Sequence, residues 1–137
     1  MEKPRIIAFV DDDPDDLELL TEAFLHEDNT LDIRVFTSGR QLFNAICSYH
    51  RSDYPHLFIV DYNMPEQSGA EIIEVLCQNN LLKQVPKVIL STSDSHFYQK
   101  ICKEKGADYY FKKPNSFDQW VNMAGEMLKV IRERSSS

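Results

Sequence analysis

The 137-residue chain has little of several things that mark other classes of protein. Cysteine is scarce: Cys47, Cys77 and Cys102 are odd in number, far apart and without a C-x-x-C pair. That fits reduced thiols rather than a disulfide framework. His26, His50, His56 and His96 are scattered and lack metal-ligand spacing. Basic residues are outnumbered, 15 against 22 acidic ones, for a net charge of −7. This balance argues against a nucleic-acid partner held through a basic face. No apolar run approaches the roughly 18 residues of a membrane span, and no signal peptide is visible. A cytoplasmic location is the expectation. There is no Pro/Gly/Ser-rich linker, no internal repeat and no low-complexity tract. One domain is therefore expected over 1–137, with a core of about 5–131 and a frayed tail at 132–137.

What is present is an alternation of short apolar runs with amphipathic stretches, in a chain that is 42% hydrophobic and so able to build a core. Arg5 to Val10 suits a buried strand. Asp13-Pro14 supplies a helix cap and first helical position, and Leu17, Leu20 and Phe24 follow at helical spacing, predicting a helix over 14–27. Leu31 to Thr37 reads as a second strand. The Ser38 to Gln41 segment has the capping-box form and opens a helix carrying Leu42, Ala45, Ile46 and Tyr49. His56 to Asp61 is the third strand, and the box from Ser68 to Glu71 leads Ile72, Ile73 and Leu76 down a third helix. Val88 to Leu90 forms the heart of a fourth strand. A helix from about Asp94 to Lys105 ends against Gly106 at a plausible left-handed cap. Asp108 to Lys112 is the fifth strand. Asn115-Ser116 starts a last helix with Phe117, Trp120, Val121, Ala124, Leu128 and Ile131 on one face. Five such units imply an α/β, doubly wound five-stranded parallel sheet with helices on both faces. The pattern leaves the strand order open.

Ligands in such sheets gather at the carboxyl ends of the strands. Here those ends carry Asp11 and Asp12, Asp61, Ser91 and Thr92, and Lys113. Each has an ordinary explanation alone, as a cap, a loop residue or a surface lysine. Together they bring carboxylates, hydroxyls and an ammonium to one edge. Crowded carboxylates repel and call for a cation; oxygen ligands with room for water suit Mg²⁺. A metal can bridge a carboxylate and a phosphoryl oxygen, while an ammonium and a hydroxyl take the other oxygens.

These motifs, Val10-Asp11-Asp12, Ile59-Val60-Asp61 with Met64-Pro65 and Gly69, Leu90-Ser91-Thr92, and Lys113-Pro114, resemble those of response-regulator receiver domains of two-component signalling. The resemblance runs from about Arg5 to Ile131, and in it the chain looks like a single-domain, chemotaxis-regulator-like member with the flavodoxin-like (βα)5 fold. The resemblance implies that Asp61 accepts the phosphoryl group. It implies that Asp12 and Asp61 hold Mg²⁺, that Asp11 contacts a metal-bound water or ligates weakly, and that Asn63 offers its backbone carbonyl. Lys113 would pair with Asp61 and then with its phosphate. Ser91 would be the switch hydroxyl and Tyr110 the aromatic that turns inward, altering the surface of the fourth helix, fifth strand and fifth helix. Asn63 and Ser93 stand where the family tunes phosphate lifetime. The implied partners are a sensor histidine kinase or histidine phosphotransfer protein upstream and an unspecified protein target downstream.

Some alternatives remain open in the residues. The triple run allows Asp12 and Asp13 as the metal pair, although Asp13-Pro14 already serves as a helix start. Thr92 competes with Ser91 as the switch hydroxyl. Asp11-x-Asp13 also fits the D-x-D of a Mg²⁺-dependent phosphatase of the haloacid dehalogenase type, against which Pro14-Asp15 and the lack of a cap insertion both count. A binding-only receiver scaffold is a further reading, disfavoured by the complete set of acids, hydroxyl and lysine. Flavin binding lacks a phosphate-cradling Gly/Ser loop after the first strand. The expected role is a phosphoacceptor switch and not a turnover enzyme.

Overall fold

In the computed structural model, which describes residues 3–135, five strands and five helices alternate along the chain. The strands are β1 (Ile6–Val10), β2 (Asp32–Phe36), β3 (Leu57–Asp61), β4 (Lys87–Ser91) and β5 (Tyr109–Lys112). The helices are α1 (Pro14–Glu27), α2 (Gly39–Ser48), α3 (Gly69–Leu76), α4 (His96–Lys105) and α5 (Phe117–Ser135). All strand pairings are parallel, in the order β2-β1-β3-β4-β5. The order reverses at β1, so the crevice outside the carboxyl ends of β1 and β3 is the topological switch point.

The central strands are buried on both faces, which is why they read as unbroken apolar runs. Their alternate residues feed two cores. Ile7, Phe9, Leu57, Ile59, Val88 and Leu90 pack with residues of α1 and α5. Ala8, Val10, Phe58, Val60 and Ile89 pack with residues of α2, α3 and α4.

Local chemistry sets the helix ends. Asp13 caps α1 by accepting the amide of Asp15 at 2.9 Å, and Pro14 opens the helix, giving the bounds the cap predicts. Ser38 accepts the Gln41 amide at 3.1 Å, but the Gln41 side chain bonds the Thr37 amide instead of closing the box on Ser38. The Ser68–Glu71 box opens α3, with the Glu71 amide donating to Ser68 at 3.2 Å. Gly106 ends α4 at φ +116, a conformation that favours glycine.

Several bounds differ from the sequence expectation. Helix α4 starts at His96, two residues after Asp94, because Asp94 to Ser95 are taken up in the loop that follows Ser91. On α5, Phe117 is 39% exposed, its ring set edge-on to His26 of α1, whereas Met123 and Met127 join the buried face. The helix continues through Ser135; residues 136–137 of the expected tail lie outside the described residues. Among the described residues no helix is long and apolar enough to cross a membrane.

Candidate functional site

The carboxyl edge of the sheet is built by main-chain bonds that run one residue past each strand. The Asp11 amide donates to Phe36 at 3.0 Å, the Tyr62 amide to Leu90 at 2.8 Å and the Lys113 amide to Ser91 at 2.7 Å. These bonds hold the roots of Asp11, Asp61, Ser91 and Lys113 in fixed register. Gly69, first residue of α3, donates to the Tyr62 carbonyl at 2.9 Å, and a side-chain carbon at this position would collide with the Asp61 carbonyl oxygen. Glycine is thus required for α3 to start directly against the strand end that carries Asp61.

Asp11, Asp61 and Ser91 are buried, while Asp12, Asn63 and Thr92 are exposed. The carboxylates of Asp11, Asp12 and Asp61 each place an oxygen within 4.8 Å of the others. Lys113 reaches into them. Its ammonium donates to Asp16 Oδ2 at 2.6 Å and to Asp11 Oδ2 at 3.1 Å, and lies 3.3 Å from Asp61 Oδ1. The last contact lacks hydrogen-bond geometry, so the buried Oδ1 of Asp61 has no hydrogen-bond partner. Three carboxylates, those of Asp11, Asp16 and Asp61, thus surround one ammonium, and the Asp12 carboxylate adjoins those of Asp11 and Asp61.

The electrostatics follow from burial and crowding. Burial, then the neighbouring charge of Asp11, pushes the Asp61 carboxyl up to about 6, against the pull of Lys113. The Asp11 carboxyl is also raised, chiefly by burial, although the Asp13 amide and Lys113 oppose the shift. Burial works against the Lys113 ammonium, but its bond to Asp16 and the charges of Asp11 and Asp61 raise it above its ordinary value. An orphaned buried oxygen, three converging carboxylates and an all-oxygen donor set fit a hard divalent cation.

Of the sequence-level candidates, Asp11, Asp12, Asp61 and Lys113 are brought together. Asp13 is not part of the cluster, since its carboxylate is occupied by the α1 cap. Ser91 Oγ accepts the Ser93 amide at 3.1 Å, and the Tyr110 hydroxyl donates to the Ser93 carbonyl at 2.6 Å. Ser91 and Tyr110 therefore meet through one loop residue. Thr92 instead faces a cleft of about 400 Å³ that it shares with Asp16, Lys113 and Asn115. The Asn63 amide supports the Asp61 carboxylate. The sequence reading missed Asp16 as a member of the site. Its signals there are membership of the acidic run of Asp11, Asp12, Asp13, Asp15 and Asp16 and helical spacing: it falls about one turn after Asp12 and Asp13, in the first turn of α1.

A doubly wound parallel sheet with an acid–lysine cluster at its switch point defines the class: a receiver of the flavodoxin-like type. The chain belongs to the response regulator receiver domain family of two-component signalling, whose family model matches residues 7–124. It is similar to the response regulator Rcp1 of Synechocystis sp., with 30% identity over 95 residues, 66% of this chain. That match spans 63% of the relative's length, less than two thirds. Among solved structures it resembles the phosphorylated cyanobacterial phytochrome response regulator RcpA, with a TM-score of 0.81 and 21% identity over 90% of this chain and 91% of that one. It also resembles the Mn²⁺-bound form of Rcp1, with a TM-score of 0.75 and 22% identity over 88% and 89% of the two chains. At such identities these two structures speak for the fold.

Proposed function

We propose that this receiver domain is a phosphoacceptor switch in which Asp61 takes a phosphoryl group from a sensor histidine kinase or a histidine phosphotransfer protein. The observation that carries the reading is Asp61 itself: a buried carboxylate with an orphaned oxygen, 3.3 Å from the Lys113 ammonium and within reach of Asp11 and Asp12. A carboxylate oxygen of Asp61 attacks phosphorus, the P–N bond to the donor imidazole breaks, and the imidazole leaves with the bonding pair. Lys113 neutralises a phosphoryl oxygen.

Asp12 and Asp61 would hold Mg²⁺ by their side chains, with Asp11 behind a bound water and the Asn63 carbonyl completing the protein's share. When bound, the ion offsets the charge that gathers on the transferring oxygens. The Mn²⁺-bound state of Rcp1 and the phosphorylated state of RcpA support this reading by analogy.

Phosphorylation adds only about one unit of charge, but it brings three oxygens that need donors. Ser91 answers one of them by leaving the Ser93 amide. Because Ser93 also carries the Tyr110 hydroxyl bond, that movement reaches Tyr110 and the face formed by α4, β5 and α5, where a downstream protein binds. The shift in population is limited by how differently the two conformers contact the phosphoryl group. The protein assists its own phosphorylation and dephosphorylation, acts in the cytoplasm and turns over no separate substrate.

Labelling with a small phosphodonor in Mg²⁺ tests the reading. Asp61→Asn is expected to lose all label while keeping its circular dichroism; label retained in that variant overturns the assignment. Ser91→Ala is expected to accept phosphate but respond weakly in partner binding.

A further inference from the structure

Lys113 has one ammonium and three carboxylates within salt-bridge distance, and its shortest bond, 2.6 Å, is to Asp16 and not to the proposed acceptor. Asp16 sits in the first turn of α1, where the partial positive charge of the helix end favours a carboxylate and the short side chain has little freedom. With the ammonium bonded to Asp16 and Asp11, Asp61 Oδ1 lies 3.3 Å from it but outside hydrogen-bond geometry.

We propose that Asp16 is a positioning residue that holds Lys113 in the resting state, so that phosphoryl acceptance at Asp61 has to draw the ammonium out of the Asp16 pair. The inference rests on the phosphoacceptor reading of the same site and adds its regulation. Phosphoryl oxygens compete with Asp16 for the N–H groups of one lysine. The two sides of the exchange differ in solvation: Asp16 borders the cleft it shares with Thr92 and Asn115, where water can replace the lost donor. The side chain of Asp61 is only 5% exposed, so its oxygens depend on groups of the protein. Asp16 thereby favours the unphosphorylated form and couples the first turn of α1 to the state of Asp61.

The test uses the full chain and beryllofluoride in Mg²⁺ as a phosphoryl probe. Trp120 is the single tryptophan and lines the same cleft as Asp16 and Lys113, so its fluorescence can report binding. Asp16→Asn is expected to bind beryllofluoride roughly three- to fivefold more tightly, the upper part of the range a partly exposed ion pair gives. Asp16→Glu keeps the charge and should stay close to the parent. Asp15→Asn removes the same charge one residue away, from an exposed side chain without a bond to Lys113, and should change affinity less than twofold. Unchanged or weaker binding by Asp16→Asn, or equal tightening by Asp15→Asn, overturns the proposal. A crystal structure of metal-free Asp16→Asn provides a second readout, in which Lys113 should donate to Asp61 Oδ1. If beryllofluoride binds neither parent nor variants, the phosphoacceptor reading fails instead. The crystal structure then decides the Asp16 proposal, and Lys113 still outside hydrogen-bond geometry with Asp61 overturns it.

Discussion

Two lysines are withdrawn from solvent at opposite edges of the sheet, and they are satisfied in opposite ways. Lys87, first residue of β4, is fully buried, and its ammonium donates to the carbonyls of Lys83 at 3.0 Å and Val85 at 2.6 Å. Its amide is fixed by the Asp108 carboxylate at 2.9 Å. Lys113, just past β5, is shared among Asp11, Asp16 and Asp61. Carbonyls fixed in a loop give a buried ammonium one arrangement. Three carboxylates competing for one ammonium are served unequally, at 2.6, 3.1 and 3.3 Å, and one oxygen is left unserved. The first pattern pins a loop to a strand; the second is the kind that the proposed phosphoryl acceptance would redistribute.

The contrast can be broken most sharply at Lys87. Lys87→Met keeps the volume but strips the Lys83 and Val85 carbonyls of a donor, and should cost about 2–4 kcal/mol in urea unfolding. Phosphodonor labelling of Asp61 in that variant should be unchanged under folding conditions. A cost below about 1 kcal/mol would remove the structural role assigned to this lysine.

At the other edge the expected sign reverses. The folded-state value of Asp61, about 6, lies above its ordinary 3.8, so ionising it costs more in the folded than in the unfolded protein. The favourable contribution of the protonated form is complete below pH 3.8 and lost as pH rises through 6. Without divalent metal, Asp61→Asn should therefore be more stable than the parent at pH 7, by about 1–3 kcal/mol. The gap should close as pH falls from 6 toward 4. Urea melts in chelator at pH 7 and pH 4.5 measure it. A destabilised variant at pH 7 would mean that Asp61 is a net structural partner of Lys113.

The smallest effect belongs to His56, at the same edge as Lys87. Its Nδ1 accepts the Ile6 amide at 3.0 Å, which requires an unprotonated Nδ1. Burial, then Arg5, lowers its proton affinity. Stability supplied by the neutral ring is present above pH 6.5 and lost as pH falls below it. His56→Gln should flatten the pH dependence of the urea midpoint between pH 7 and pH 5, and an unaltered slope would assign it to other groups.

Sequence and structure agree where the deciding chemistry is local. Asp13-Pro14 sets the start of α1, Gly106 the end of α4, and the apolar runs place Asp61, Ser91 and Lys113 at strand ends. Agreement weakens where contacts join distant segments. Asp16 and Lys113 are 97 positions apart, and only the β1-β3-β4-β5 order brings them together. Lys87 reads as ordinary surface until the loop carbonyls that enclose it are seen. Phe117 follows the helical stripe of α5, but period alone does not reveal that its ring stays partly exposed beside His26. Ser91 and Thr92 are adjacent hydroxyls in sequence; Ser91 is the last residue of a strand buried on both faces, and Thr92 is exposed in the loop beyond it.

The missing methyl at Gly69 has a mechanical consequence. Helix α3 begins so close to the Asp61 carbonyl that the main chain beneath the proposed acceptor has no room to recoil. It acts as a fixed anvil. If Asp61 accepts a phosphoryl group as proposed, the added bulk would have to be accommodated on the side of the β4–α4 and β5–α5 loops, which carry Ser93 and Lys113. In the proposed switch, the absence of one carbon atom at Gly69 would thus set which part stays still.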